Sequence, residues 1–153
     1  MHATILAMAA AAATAAAPQP APMHVPDLRQ AVIVFLNAYA SGDKAATIAA
    51  LDPKVEIYGS DLSAIYHGIS GASDLFDANQ KLWSGAAKFG TMFHVSGVRD
   101  GSLASVMLDI PFTSGQNPTV TMRFAMVWHL DAGGWKLVQS SDFAPGENVA
   151  DKK

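Results

Sequence analysis

Few side chains in this sequence can carry chemistry. There is no cysteine, which removes a thiol nucleophile, a disulfide framework and a lipidated cysteine. No serine stands in a Gly-x-Ser-x-Gly setting that would expose a nucleophile. The histidines are His2, His24, His67, His94 and His129. They show neither His-Glu-x-x-His spacing nor a compact grouping of two histidines with a carboxylate, so the sequence calls for no metal and no cofactor. Carboxyl and phenol groups are left. Asp61 follows the strand-like segment KVEIYGS. Buried against apolar walls it would have a raised pKa and act as a general base; otherwise it is a solvated loop aspartate. Tyr39 sits one helical turn from Phe35 and can present its hydroxyl as an acid, or simply rest in the core with that hydroxyl at the rim. Tyr58 and Tyr66 fall near the same entrance. His67 reads as a rim group or an exposed turn residue, and Asp109 as an interface or a pocket carboxylate.

A second group of candidates lies in VWHLDAGGWKLVQSSDF, residues 127–143. Trp128 and Trp135 flank an Asp-Ala-Gly-Gly turn and read as sheet packing, with the glycines supplying the backbone freedom of the turn. The arm then ends in Gln139, Ser140, Ser141 and Asp142. Because strand side chains alternate, either Gln139 with Ser141 or Ser140 with Asp142 faces inward. Ser141, with Met126 and Trp128, is carried as a candidate lining residue. Met92, Met107, Met122 and Met126 fill irregular core space or form a soft wall for an apolar ligand.

The elements that must position these groups follow from periodicity and punctuation. Leu28, Ala31, Val32, Phe35, Leu36 and Tyr39 recur at helical spacing after Pro26-Asp27, and Ser41-Gly42-Asp43 closes that helix. A short helix runs to Pro53 and a β-branched strand follows. A third helix spans SGASDLFDANQKLWSGAAK, residues 70–88, capped by Ser70 or Ser73. FGTMFHVSGVRD and SLASVMLDIPF form a hairpin at Asp100-Gly101, and the last two strands form another. The expected fold class is α+β, with three helices on one face of a curved, mainly antiparallel sheet. Val120, Met122, Phe124, Met126, Trp128 and Leu130 share one face of the penultimate strand and should meet the helices. Thr121, Arg123, Val127 and His129 share the face given to solvent or a subunit interface.

The chain of 153 residues suits one domain. Residues 1–17, MHATILAMAAAAATAAA, carry no charged side chain. They read as a secretory signal ending near Ala13-Thr14-Ala15, too short and alanine-rich for a membrane span. Residues 18–26 hold four prolines, Pro18, Pro20, Pro22 and Pro26, and read as a linker. The domain is expected over 27–145 and a polar tail over 146–153. A periplasmic or secreted location follows from the leader. The formal net charge is −3 with no basic cluster, which argues against nucleic acid.

The helix end Ala38-Tyr39-Ala40-Ser41-Gly42-Asp43, His67-Gly68 before the third helix, and Val127-Trp128-His129 with Gly134-Trp135-Lys136-Leu137-Val138 resemble the NTF2-like superfamily. Within it the likeness is to SnoaL-like and ketosteroid-isomerase-like domains, and it covers Asp27 to Phe143. The resemblance implies a cone-shaped domain around one hollow and a homodimer. A ketosteroid-type isomerase needs a carboxylate base, a tyrosine and a protonated aspartic acid. Those positions fall here on Gly59, Phe35, and Ala125 or Met126, none of which has the required group. The expected function is therefore an exported NTF2-like domain whose hollow binds a small, largely apolar molecule, lined by Phe35, Tyr39, Tyr58, Asp61, Tyr66, Met126, Trp128 and Ser141. One alternative is an isomerase, dehydratase or hydrolase using Asp61 and Tyr39. The other is a non-catalytic structural or partner-binding dimer module whose cone is filled by its own side chains. A hollow of ~300 Å³ or more is what a ligand requires.

Overall fold

The computed structural model describes residues 25–59, 62–84 and 86–145. The leader, most of the linker, the tail and Asp61 lie outside the described residues. Three helices precede or interrupt a single sheet: α1 (Val25–Ser41), α2 (Lys44–Ala49) and α3 (Gly68–Trp83). The strands are β1 (Leu51–Tyr58), β2 (Ile65–His67), β3 (Ala87–Phe89), β4 (Phe93–Asp100), β5 (Leu103–Ser114), β6 (Val120–Asp131) and β7 (Gly134–Phe143). The α+β class and the order of the long elements are as expected from the sequence.

The strands form one curved sheet in the order β2-β1-β7-β6-β5-β3, with β4 also pairing to β5. Every pair is antiparallel except β1 with β7. That parallel pair brings the chain's first strand beside its last. The segment from Phe89 to Asp100, expected as a single strand, is divided. β3 and β4 each pair with β5 but are separated by Gly90–Met92. Gly90 lies against the Pro111 ring, where a Cβ would come within 3.2 Å.

The core lies between helices and sheet. Val32 and Leu36 of α1, Phe76 of α3, Val55 of β1, Leu108 of β5, Met126 and Trp128 of β6 and Leu137 of β7 are all buried. The inner face of β6 is the apolar set of even-numbered positions read from the alternation. The Phe35 ring meets the Trp128 ring edge-on at 5.8 Å. Trp128 is fully buried, and its Nε1 is the one buried side-chain polar atom without a partner among the described residues.

The start of α2 at Asp43 is as expected, and the ends of α3 are not. Asp43 caps α2 by accepting from Ala46 N at 2.9 Å. The N-cap of α3 is His67, three residues before the earliest expected cap, Ser70, and it makes no side-chain cap bond. Gly68 takes φ +61, which only glycine adopts without strain, and Pro53 O lies 3.3 Å from where its Cβ would be. α3 ends at Ser84 in the left-handed conformation rather than continuing to Lys88.

Candidate functional site

A hollow of about 290 Å³ opens where α1 and α3 face the sheet. Tyr39 reaches it from α1, Tyr66 from β2, and Leu75, Asn79, Leu82 and Trp83 from α3. The sheet contributes Phe89, Phe112, Met122, Phe124 and Asp142, and Gly59 and Ala64 complete the wall. An adjoining void of about 30 Å³ shares Tyr39, Leu75, Phe124 and Asp142 with it and adds Phe35 and Ser140.

Helical spacing explains the Tyr39 placement. It stacks on Phe35 one turn earlier at 6.0 Å and meets Phe76 edge-on at 5.7 Å. Its hydroxyl accepts a hydrogen bond from Asn79 Nδ2 at 2.5 Å, which fixes the phenol against α3 and leaves its own proton free to donate. Burial first, then the nearby Asp142 and Tyr66, push the Tyr39 pKa well above the ordinary tyrosine value, with the Asn79 bond opposing that rise. The phenol is a neutral hydrogen-bonding group at any working pH.

Asp142 is the group that sequence reasoning left undecided, and a bulge decides it. Across β6 and β7, Val127 pairs with Gln139 and Trp128 with Leu137, so Val138 is an extra residue. Strict alternation from the buried Leu137 would turn Gln139 and Ser141 inward. The extra residue reverses the remainder of the strand. Ser140 then lies opposite Met126 and Asp142 opposite Phe124 on the inner face. Ser141 pairs with Ala125 and with Tyr58 on the outer face. The Asp142 carboxyl makes no hydrogen bond or ion pair among the described residues. Burial pushes its pKa up to about 6. A carboxyl of that kind changes charge near neutrality and can act as acid or base.

The candidates from the sequence therefore separate into groups. Tyr39 and Tyr66 line the hollow, and Phe35 lines the adjoining void. Met126 and Trp128 are packed in the core. Tyr58 and Ser141 stand on the outer face, and Asp61 lies outside the described residues. Of the ketosteroid-isomerase positions, Gly59 lines the hollow, Phe35 and Met126 are buried, and Ala125 faces outward. His67 is also on the outer face, 2.6 Å from Glu56. Asn79 was given no functional role in the sequence, where its signal was an Asn on the apolar stripe of a helix; Asp142 stood there only as one of two inward-facing alternatives, and no local signal announced the bulge that turns it inward.

The outer face carries its own carboxyl. Asp109, with its side chain only 5% exposed, lies across from Arg123 and receives two guanidinium bonds at 2.7 and 2.8 Å. His94 Nδ1 is 3.0 Å from Oδ2, the oxygen that also accepts the Arg123 Nη2 bond. The Arg123 bonds, then the His94 bond, hold this carboxyl far below the ordinary range. His94 reaches it from a β4 irregularity where its φ is +49.

A larger hollow of about 400 Å³ lies against β4 and the start of α1, lined by Leu28, Val32, Val95, Val98, Arg99 and Trp135 among others. Its lining is mostly aliphatic, and its Arg99 is already bonded to Gly101 O and stacked over Trp135. It brings no acid–base pair together. Among the described residues no group of His, Cys, Asp or Glu could hold a metal ion, and no helix is long and apolar enough to cross a membrane.

No family model and no curated protein matches this sequence. Solved structures do match its fold. An NTF2-like protein of unknown function from Pseudomonas putida aligns at TM-score 0.70 with 16% identity, over 83% of this chain and 90% of that one. A Streptomyces avermitilis protein of the NTF2-like family, whose name proposes a dehydratase, aligns at TM-score 0.72 with 16% identity over 80% and 96%. A CaMKII hub from S. rosetta aligns at TM-score 0.63 with 22% identity over 78% and 95%. The chain has the NTF2-like fold. Identities this low carry the architecture and leave the activity to the site itself.

Proposed function

We propose that this chain is an exported NTF2-like domain that holds a small, largely apolar molecule between α1, α3 and the inner face of the sheet, and that it works as a homodimer. The observation that carries the reading is the 290 Å³ hollow itself. It combines an aromatic and thioether wall with a short polar end made by Tyr39, Asn79 and Asp142. At about 290 Å³, with an adjoining void of about 30 Å³, it lies at the ~300 Å³ threshold for a small-molecule site, and a few polar groups amid apolar walls are what such sites use to orient a ligand. The dimer reading draws on the outer face, where Phe93 and Met107 are exposed beside the Asp109–Arg123 pair and Leu103 is exposed further along β5.

Native mass spectrometry of protein purified from its own host tests the binding reading. The expected result is a dimer carrying a co-purified small molecule, lost when Met122→Trp fills the hollow. A dimer free of any adduct, with no thermal shift from a library of small apolar compounds, contradicts it. Export is tested by deleting residues 1–17, and an unchanged location contradicts the leader.

A second reading, an enzyme of the same fold, is favoured by one observation. Asp142 and Tyr39 line the same hollow, one able to take a proton near neutrality and the other able to donate a hydrogen bond. In that reading Asp142 stands as base in addition to the earlier candidate Asp61, with Tyr39 as acid. Loss of turnover in Asp142→Asn with ligand binding retained would select it over simple binding.

A further inference from the structure

The aromatic lining is continuous. The Tyr39 ring meets Trp83 at 5.4 Å, Trp83 meets Phe112 at 5.0 Å, Phe112 meets Phe89 at 5.1 Å and Phe89 meets Phe124 at 5.9 Å. Both ends of this chain of rings come back to one residue. Phe124 is the cross-strand neighbour of Asp142, and Tyr39 is electrostatically coupled to it. Among the described lining residues the titratable groups are Tyr39, Tyr66 and Asp142, with no lysine, arginine or histidine. Lys44 Nζ, which lies over the Phe76 ring, is held by Asp77 at 2.6 Å. An ionised Asp142 thus has no positive partner among the described residues, and an anionic ligand would meet no donor cation.

We propose that the hollow selects a small organic cation, an amine or quaternary ammonium group on an apolar body, with the Asp142 carboxylate as counter-charge and the Tyr39–Trp83–Phe112–Phe89–Phe124 rings as its walls. This rests on the reading of the hollow as a ligand site and adds the charge of the ligand. Ring faces carry negative charge density and attract cations, most strongly where water is excluded. A carboxylate in the same enclosure adds attraction that a neutral ligand does not receive. The cation in turn offsets the cost of burying the carboxylate, so each ion makes the other tolerable. The Tyr39 hydroxyl, held by Asn79 and with its proton free, has a donor to offer the carboxylate.

The sign of the pH dependence separates this from a neutral carbonyl ligand. A fixed cation binds the ionised carboxyl, so its affinity rises as pH rises through about 6, the value for the unliganded site. A carbonyl accepting a bond from the protonated carboxyl binds more weakly over the same interval.

Calorimetric titration of the full dimer with benzyltrimethylammonium, whose charge does not titrate, and with its carbon isostere neopentylbenzene tests the proposal. NMR shifts at the Trp83 indole N–H locate each probe. At pH 7.5 the cation is expected to bind at least about tenfold tighter than the isostere. Its affinity should fall about tenfold by pH 5, where the carboxyl is mostly protonated. Asp142→Asn should erase the preference while the isostere still binds. Equal affinities for the two probes, or a preference that survives in Asp142→Asn, overturn the cation assignment and leave the hollow as a ligand site. Failure of both probes to shift Trp83 overturns the cation assignment together with the ligand-site reading on which it rests.

Discussion

Asp109 and Asp142 lie on strands of one sheet and on opposite faces of it. The outer carboxyl is gripped by Arg123 and His94 across three neighbouring strands and is held ionised. The inner one is surrounded by rings and aliphatic groups, has no partner among the described residues, and is pushed up to about 6. The residue type is the same, and the surroundings give each a different task. A fully paired carboxyl has spent its bonding capacity on the fold. An unpaired one in a hollow costs stability and keeps that capacity for a ligand, which is why the inner face is read as the functional one.

The contrast between faces can be broken most forcefully on β6. Met126→Asp places a second unpaired carboxyl on the inner wall beside Ser140, and is expected to cost about 3 kcal/mol or more. Ala125→Asp, one residue earlier and facing outward, should change stability by about 0.5 kcal/mol or less. Urea midpoints of the two variants decide this, and similar losses would mean that the two faces are not different environments.

The pH dependence of stability sharpens the same contrast. For Asp142 the folded pKa is raised from the unfolded value of 3.8 to about 6. The folded state therefore binds the proton more tightly, and its contribution is fully present below pH 4 and is lost as pH rises through 6. The loss amounts to about 2–3 kcal/mol. Asp142→Asn should flatten that part of the profile and be the more stable protein at pH 7. For Asp109 the folded pKa is depressed below 3.8. Its contribution is present above pH 4 and is lost as pH falls toward the folded value. Asp109→Asn should therefore differ from the parent at pH 7 and converge with it in acid. Denaturant midpoints measured from pH 3 to 7.5 test both signs.

Smaller effects complete the series. Tyr39→Phe removes the acceptor of the Asn79 amide and should cost about 1 kcal/mol in a thermal or urea melt. His94→Asn keeps a residue type that tolerates positive φ and removes a side chain that is 76% exposed. Its effect at pH 7 should be about 0.5 kcal/mol or less.

Most of the architecture was legible because it is written in periodicity. The apolar stripe from Leu28 to Tyr39, the alternation from Val120 to Leu130 and the two glycine turns specify helix, strand and hairpin by local physics. The site was less legible for three reasons. Val138 is a bulge that no local signal announces, and it turns Asp142 inward in place of Ser141. Asn79 reaches Tyr39 from forty residues away in sequence, a meeting set by how α3 docks on α1. The aromatic chain joins rings from α1, α3, β3, β5 and β6, each of which reads as ordinary core on its own strand or helix. Tyr39 and Tyr66, named from the sequence, line the hollow because a helical stripe and a short strand carry them there.

The central claim is that Asp142 is a desolvated, unpaired carboxyl inside a ligand site. A carbon-detected NMR titration of its side-chain carboxyl in the apo protein tests this most directly. The expected result is a midpoint at about 6 that moves down when benzyltrimethylammonium is added. A midpoint at the ordinary aspartate value, unmoved by the probe, would show a solvated carboxyl and contradict the account.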